Sequence, residues 1–227
     1  MKMGIGTYLI YLALLMIIPL WAQSKVKSTY KKYAKVATSS YMTGAQVARK
    51  ILDDNGLYNV TIEETRGMLS DHYDPRKKVV RLSSDNYHGH SMAASAIAAH
   101  EVGHAIQDAQ AYAFLRFRSS LFPLANLGDK LGFILIIAGI FLTPMLSIIG
   151  VVFMGFAVLF QLVTLPVEFD ASNRAMGQLV SSGVIRNNEE RDTKKVLNAA
   201  ALTYVAAALV AVAELIRFIL MFVISED

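Results

Sequence analysis

The chain has 227 residues, of which 54% are hydrophobic, and a formal net charge of +4 at pH 7. A soluble domain averages roughly 45–50% apolar residues, and the excess here is gathered in blocks that predict membrane spans rather than one large core. Cysteine is absent, which excludes a disulfide framework and a thiolate metal site. The small net charge, with no basic helix and no recognisable nucleic-acid module, excludes a nucleic-acid partner.

The first apolar block, Met3 to Ala22, has roughly the 20 residues that a helix needs to cross the hydrocarbon of a bilayer. Trp21 near its end is typical of a residue that anchors a span at the membrane interface. A cleaved signal peptide is the alternative interpretation, but the apolar run is long for one. We therefore predict a first span at about 3–22.

The polar segment that follows, about 23–120, has a small α+β organisation. Periodicity predicts helices at 45–52 and 92–111 and strands at 58–63 and 78–83. Ser91 is a suitable N-cap for the second helix, and Pro75 indicates a turn between the strands. We expect the second strand to lie at an edge of the sheet, where it can pair with an extended peptide.

The second apolar block, 131–165, is too long for one comfortable span and slightly short for two spans with a turn. Thr143-Pro144 divides it. Two spans fit, at about 121–142 and 145–165, if the first begins before the block. A shorter re-entrant hairpin is the other interpretation.

The last apolar block predicts a fourth span at about 199–224. Glu214 and Arg217 interrupt it at i, i+3 spacing, so they can pair on one helix face. Charged residues inside a membrane are candidates for a functional role by default, but no other feature of the sequence indicates a function for Glu214 and Arg217. We therefore expect a structural pair.

Lys and Arg are concentrated in two polar segments, about 23–120 and 166–198. Residues 25–118 alone hold 14 of the 22 basic residues, and the chain ends in Glu226-Asp227. The positive-inside rule places both segments in the cytoplasm and both termini outside, which four spans satisfy. We therefore predict a mainly α-helical, multi-pass integral protein of the cell membrane. It would be a single domain over 1–227, with a small cytoplasmic α+β part that carries the motif below.

His100-Glu101-Val102-Gly103-His104 has the pattern H-E-x-x-H on the second predicted helix. Residues at i and i+4 lie one turn apart on one face, so both imidazoles can reach one ion at roughly 2.0–2.1 Å. Glu101 is offset by about 100° from His100, which places it beside the metal and near a bound water. The apolar neighbours make a His-Glu-His group without a metal costly. We predict one Zn²⁺ held by His100 and His104, with Glu101 as general base.

An open catalytic zinc site needs a third protein ligand and one free position. The candidates are His72, His88, His90, Asp108, Glu168 and Asp170. Glu168 returns to the side of the membrane that holds His100 only if 131–165 forms a hairpin, which the basic residues on both flanks favour. Asp108, four residues after His104, can instead orient that histidine as a hydrogen-bond acceptor.

The remaining polar residues near these stretches have lesser assignments. His88 and His90 are candidates to stabilise a tetrahedral intermediate, although loop or surface roles are expected more often. Arg174 is a candidate to bind a substrate carboxylate or Asp170. Asp71, His72 and Asp74 are expected to form a turn.

Two stretches, 98–107 around the motif and Val167–Ala175, resemble the YugP-type neutral zinc metallopeptidases of bacterial membranes. The resemblance covers nearly the whole chain. A more distant similarity is to membrane proteases of the HtpX and CaaX-processing type, which insert membrane helices between H-E-x-x-H and a later Glu ligand in an E-x-x-A-D pattern. That similarity implies Glu168 as the third metal ligand in a gluzincin-like site. Ala171 matches the Ala of the pattern, whereas Ser172 stands where those proteases have Asp.

The motif and the resemblance together predict a zinc metallopeptidase that hydrolyses peptide bonds of protein or peptide substrates at the lipid bilayer. Zinc would bind the water and polarise the scissile carbonyl, and Glu101 would take the proton and deliver it to the leaving amine. One alternative is a catalytically inactive scaffold in which the metal only staples helices. It has no need of Glu101, and a structural zinc is closed by four protein ligands. The other alternative is a metal-ion transporter, which requires ligands at mid-membrane. The sequence assigns neither an oligomeric state nor a partner protein.

Overall fold

The computed structural model describes residues 5–223 and is mostly helical, with one small sheet. The helices are α1 (Ile5–Tyr33), α2 (Gly44–Asp54), α3 (Ser84–His88), α4 (Met92–Ala109), α5 (Ala113–Phe141), α6 (Pro144–Ser181) and α7 (Asn187–Val223). The strands are β1 (Thr61–Thr65), β2 (His72–Asp74) and β3 (Val79–Ser83).

The chain divides into two compact units. The apolar unit is made of the residues up to 23, residues 116–166 and the residues from 203 onward. The α+β unit is made of residues 24–115 and 167–202.

Four helices are long and apolar enough to cross a membrane, and they cover 6–33, 113–141, 144–181 and 187–221. Each predicted span overlaps one of these helices, so the prediction of four candidate spans is confirmed. Residues 3, 4 and 224 of the predicted spans lie outside the described residues, as does Glu226-Asp227. Large apolar side chains are widely exposed on these helices, for example Phe141 at 80% and Ile134 at 60%, as contact with lipid requires.

The second apolar block forms two helices joined by a tight break. α6 begins at Pro144, because proline lacks an N–H donor and suits the first position of a helix. With 29 residues in α5 and 38 in α6, both helices are long enough to span. A Cβ added to Gly128 would lie 2.2 Å from the carbonyl oxygen of Phe153, so glycine permits the close approach of α5 to α6.

The charged couple in the apolar unit forms the expected structural pair. Arg217 Nη2 donates to Glu214 Oε2 at 2.7 Å, and Nε donates to the same oxygen at 3.2 Å. The guanidinium also lies over the rings of Tyr8, Tyr11 and Phe218, the last at 4.0 Å from the ring centroid. A carboxylate and three aromatic faces therefore stabilise a cation that would be costly alone in hydrocarbon.

The α+β unit contains a three-stranded sheet in the order β1-β3-β2, with β1 parallel and β2 antiparallel to β3. The predicted edge position of β3 is therefore wrong, because strands pair with it on both sides. The polar stretch expected to form only a turn supplies β2, and the turn follows it. Asp74 accepts hydrogen bonds from the backbone N–H groups of Arg76 and Lys77, which stabilises that turn.

Side-chain hydrogen bonds cap the N-termini of α2 and α4, the two main helices of this unit. Thr43 and Gln46 form a reciprocal capping box at the start of α2. Ser91 Oγ accepts from the N–H of Ala94 at the start of α4, as predicted. α4 is buried along most of its length, and its small side chains allow α2 and the second half of α6 to pack closely.

Gly103 marks a close approach of α4 to α6. A Cβ added there would lie 2.6 Å from the carbonyl oxygen of Ala171, and backbone atoms cannot move aside as a flexible side chain can. A glycine at this position costs about 1 kcal/mol of helix propensity relative to alanine. The close contact between the two helices explains why the chain carries it.

Gly103→Ala should lower the free energy of unfolding by about 1–3 kcal/mol through overpacking, despite the gain in helix propensity. The matched control is Gly177→Ala, because Gly177 is a helical position on α6 with nothing within 4 Å of an added Cβ. That variant should be as stable as the parent or more stable. Thermal unfolding of the purified proteins in detergent checks both. An unchanged Tm for Gly103→Ala would contradict the close contact.

Candidate metal centre

Three ionisable side chains converge in the α+β unit. His100 and His104 lie one turn apart on α4, and Glu168 projects from α6. Their candidate ligand atoms all lie within 4.8 Å of one another, and no other such group of three occurs in residues 5–223. The distances from Glu168 Oε2 are 3.2 Å to His100 Nε2 and 3.6 Å to His104 Nε2. The ligand atoms of a tetrahedral zinc, bound at roughly 2.0–2.1 Å, lie roughly 3.3 Å apart.

The three side chains are well buried. The side chain of Glu168 is 3% exposed, and those of His100 and His104 are 12% and 13% exposed. Burial lowers the pKa of His104, but the carboxylates of Glu168 and Glu101 outweigh it, so that the pKa is raised. Two imidazoles and one carboxylate are the donor set of an open zinc site. Spacing, burial and donor chemistry therefore fit a zinc ion.

The outer nitrogen of His104 is held by Gln107. His104 Nδ1 and Gln107 Oε1 are 3.0 Å apart. Gln107 Nε2 donates to the carbonyl oxygen of Val167 and to Asp170 Oδ2, both at 2.8 Å. Because the amide nitrogen has two acceptors, the amide oxygen must face His104 and accept its Nδ1–H. Nε2 is then the His104 nitrogen that faces Glu168, 3.6 Å from its Oε2.

The outer nitrogen of His100, Nδ1, contacts a hydroxyl rather than a carboxylate. Ser172 Oγ lies 3.2 Å from His100 Nδ1. It stands at the position of the Asp in the E-x-x-A-D pattern described above. Among residues 5–223, Asp170 is linked to His104 through Gln107. It also accepts a hydrogen bond from Arg174 Nε, so Asp170, one of the two partners considered for Arg174, is the one that it contacts in the structure.

The sequence allowed Asp108 to orient His104 as a hydrogen-bond acceptor, but Asp108 does not contact that histidine. Its carboxylate accepts from the Tyr73 hydroxyl at 2.8 Å and from Lys78 Nζ. Burial and the Asp108 carboxylate together raise the pKa of Tyr73. Asp108 therefore joins α4 to the sheet, while Gln107, one residue earlier, takes the position beside His104.

Glu101 lies on α4 next to the three converging residues without belonging to their group. It is 9% exposed, and its carboxylate has no hydrogen-bond or ion-pair partner among residues 5–223. Burial raises the pKa of this carboxyl, and the neighbouring histidines oppose that change. An unpartnered acceptor thus lies beside the imidazoles.

The other histidines of the α+β unit have separate partners. His88 Nε2 pairs with Glu64 Oε2 at 3.1 Å. His90 stacks on Tyr41 with ring centroids 4.5 Å apart. His72 Nδ1 lies 2.8 Å from the carbonyl oxygen of Ser70. None of them joins the group of His100, His104 and Glu168.

Comparisons with known proteins identify the family. A family model described as "Putative neutral zinc metallopeptidase" matches residues 8–223. The chain is 52% identical over 208 residues to a protein of Bacillus subtilis (strain 168) described as "Putative membrane protease YugP", which covers 91% of this chain and 92% of that relative. No solved structure is significantly similar to the chain. As its sequence motifs predicted, the chain belongs to the neutral zinc metallopeptidase family of that model.

Proposed function

We propose that this protein is a membrane-bound zinc metallopeptidase that hydrolyses peptide bonds, with Glu101 as its general base. The observation that carries the proposal is the convergence of His100, His104 and Glu168 at separations suited to one ion. The unpartnered carboxylate of Glu101 beside them supports a hydrolytic role. Family membership and the description of the Bacillus relative as a membrane protease support the same class of reaction.

The metal would be held by Nε2 of both histidines and by a carboxylate oxygen of Glu168. When bound, zinc supplies Lewis acidity, which lowers the pKa of a water ligand to about 7 and polarises a carbonyl group. Glu101 accepts the proton of the attacking water and returns it to the leaving amine. Gln107 and Ser172 fix the orientation of the two imidazole rings throughout.

A catalytically inactive, metal-stapled scaffold is the competing function. A structural zinc is normally closed by four protein ligands, whereas the candidate group in residues 5–223 has three members. A scaffold also gives no reason for an acidic side chain buried beside the ligands and left without a partner. Both observations favour the peptidase.

Glu101→Gln should leave zinc bound and lower the rate of peptide hydrolysis on the order of 10²- to 10⁴-fold, the range expected for loss of a general base. Elemental analysis and a quenched-fluorescence peptide library, applied to the same purified sample, measure the two quantities. Glu190→Gln, on α7, is the control and should retain full activity. A Glu101→Gln protein that cleaves as fast as the parent would contradict the assigned role.

Glu168→Ala should lose most of its zinc, and Asp170→Ala should keep most of it. Both carboxylates lie on α6, but only Glu168 approaches the imidazole Nε2 atoms, while Asp170 accepts from Gln107 and Arg174. Zinc per protein after gel filtration distinguishes them. The reverse pattern would mean that Asp170 is the ligand.

Gln107→Leu should weaken zinc binding by about 10- to 100-fold, the effect typical of removing a hydrogen-bond partner of a ligating histidine. Asp108→Asn is the matched control, because the adjacent Asp108 contacts Tyr73 and Lys78 rather than His104. Its zinc affinity should stay close to that of the parent. Competition with a chromogenic chelator gives both affinities. A larger loss in Asp108→Asn than in Gln107→Leu would overturn the assignment of Gln107.

We further propose that both long polar segments, and with them the active site, face the cytoplasm from the cell membrane, on the basis of the Lys and Arg distribution. The chain has no cysteine, so Lys31→Cys and Asn188→Cys each create a single thiol. In intact cells both should react with a membrane-permeant reagent and neither with an impermeant one. Impermeant labelling of either position would refute the shared cytoplasmic placement.

A further inference from the structure

A second polar site lies within the α+β unit and shares no residue with the group of His100, His104 and Glu168. It is a cleft of about 440 Å³ between the end of α1 and the start of α7, here called the lysine cleft. Its polar and apolar lining includes Lys25, Thr29 and Lys32 on α1 and Lys195, Asn198 and Leu202 on α7. On each helix these residues recur at intervals of three or four, so each helix presents one continuous face to the cleft.

The lysine cleft is strongly cationic. Three ammonium groups line it, and no carboxylate does. Lys195 Nζ forms an ion pair with Asp192 Oδ1 at 2.7 Å, and Asp192 lies outside the lining. Lys25 and Lys32 have no ion-pair partner within residues 5–223. The cleft therefore holds positive charge that a ligand can neutralise.

Uncharged hydrogen-bonding groups lie between the lysines. The side chains of Thr29 and Asn198 have no hydrogen-bond partner in the described part of the chain. Ammonium, hydroxyl and amide donors gathered around one concave surface suit a phosphate group, which offers several acceptor oxygens.

The positions of the lining residues along their helices indicate a lipid rather than a free ion. On α1 the cleft begins one turn after Trp21, and the preceding Ile17 and Leu20 are each 57% exposed. On α7 it ends at Leu202, after which the apolar candidate span continues and Leu209 is 53% exposed. Both helices thus change from exposed apolar side chains to cationic ones at the cleft, as expected at the level of lipid headgroups.

We propose that the lysine cleft binds the phosphate headgroup of an anionic phospholipid. The cations and hydrogen-bond donors recognise the headgroup, and the exposed apolar side chains that precede the cleft on α1 and follow it on α7 favour a lipid. A free phosphate ion uses only the first of these features.

Native mass spectrometry of the full-length protein in detergent tests the proposal. The probes are phosphatidylglycerol, phosphatidylcholine with matched acyl chains, and inorganic phosphate in large excess. The parent protein should retain phosphatidylglycerol in preference to phosphatidylcholine, and phosphate should not displace it. The triple variant Lys25→Gln, Lys32→Gln, Lys195→Gln should lose this preference by at least about fivefold, the loss expected from removing even one cation near an anionic lipid.

The matched control is Lys27→Gln, Lys31→Gln, Lys194→Gln, which removes the same charge from the same two helices outside the lining. It should keep the preference. Asn198→Trp, which fills the cleft without changing its charge, should lower phosphatidylglycerol binding as well. Equal losses in the two triple variants, an unchanged cleft triple variant, or displacement of the lipid by inorganic phosphate would each overturn the proposal.

Discussion

The candidate metal centre depends on the close packing of α4 against α6. Gly103 lies between the two histidines of the motif, and it meets the backbone of Ala171, three residues after Glu168. One contact therefore sets the separation between the imidazoles and the carboxylate. A side chain at Gly103 would push apart the two helices that carry the histidines and Glu168. A residue without a side chain therefore controls the geometry of the candidate ligands.

Hydrogen bonds across the same helix pair then fix the orientation of the rings. On one side, Gln107 links His104 to the backbone of Val167 and to Asp170. On the other, Ser172 lies beside His100. The Nδ1 atoms of both histidines thus contact neutral oxygen atoms rather than carboxylates. A neutral acceptor fixes a tautomer as a carboxylate does but adds less negative charge near the metal.

The sequence predicted the parts of this arrangement that local rules control. Ser91 and the H-E-x-x-H spacing determine where α4 begins and which side chains share its face, and Pro144 determines where the apolar block breaks. Identifying Glu168 needed the hairpin argument and the family resemblance, because the chain crosses α5 and most of α6 between His104 and that residue. Spacing alone does not bring those segments together.

The predictions that failed concern residues whose partners lie in other elements of the fold. Asp108 has the right helical spacing to reach His104, but Tyr73 and Lys78 engage it. Gln107 has equally suitable spacing, and its partners on α6 orient its amide. β2 was missed because a three-residue strand of polar side chains has no periodic signal, and its pairing with β3 moved that strand from the edge to the centre of the sheet.

We propose that one zinc ion is held by residues of α4 and α6. Crystals of the purified protein, measured on both sides of the zinc absorption edge, test it most directly. We expect a single strong anomalous peak within bonding distance of Nε2 of His100, Nε2 of His104 and a carboxylate oxygen of Glu168. A peak at another site, or one at the two histidines with Glu168 beyond bonding distance, would contradict it.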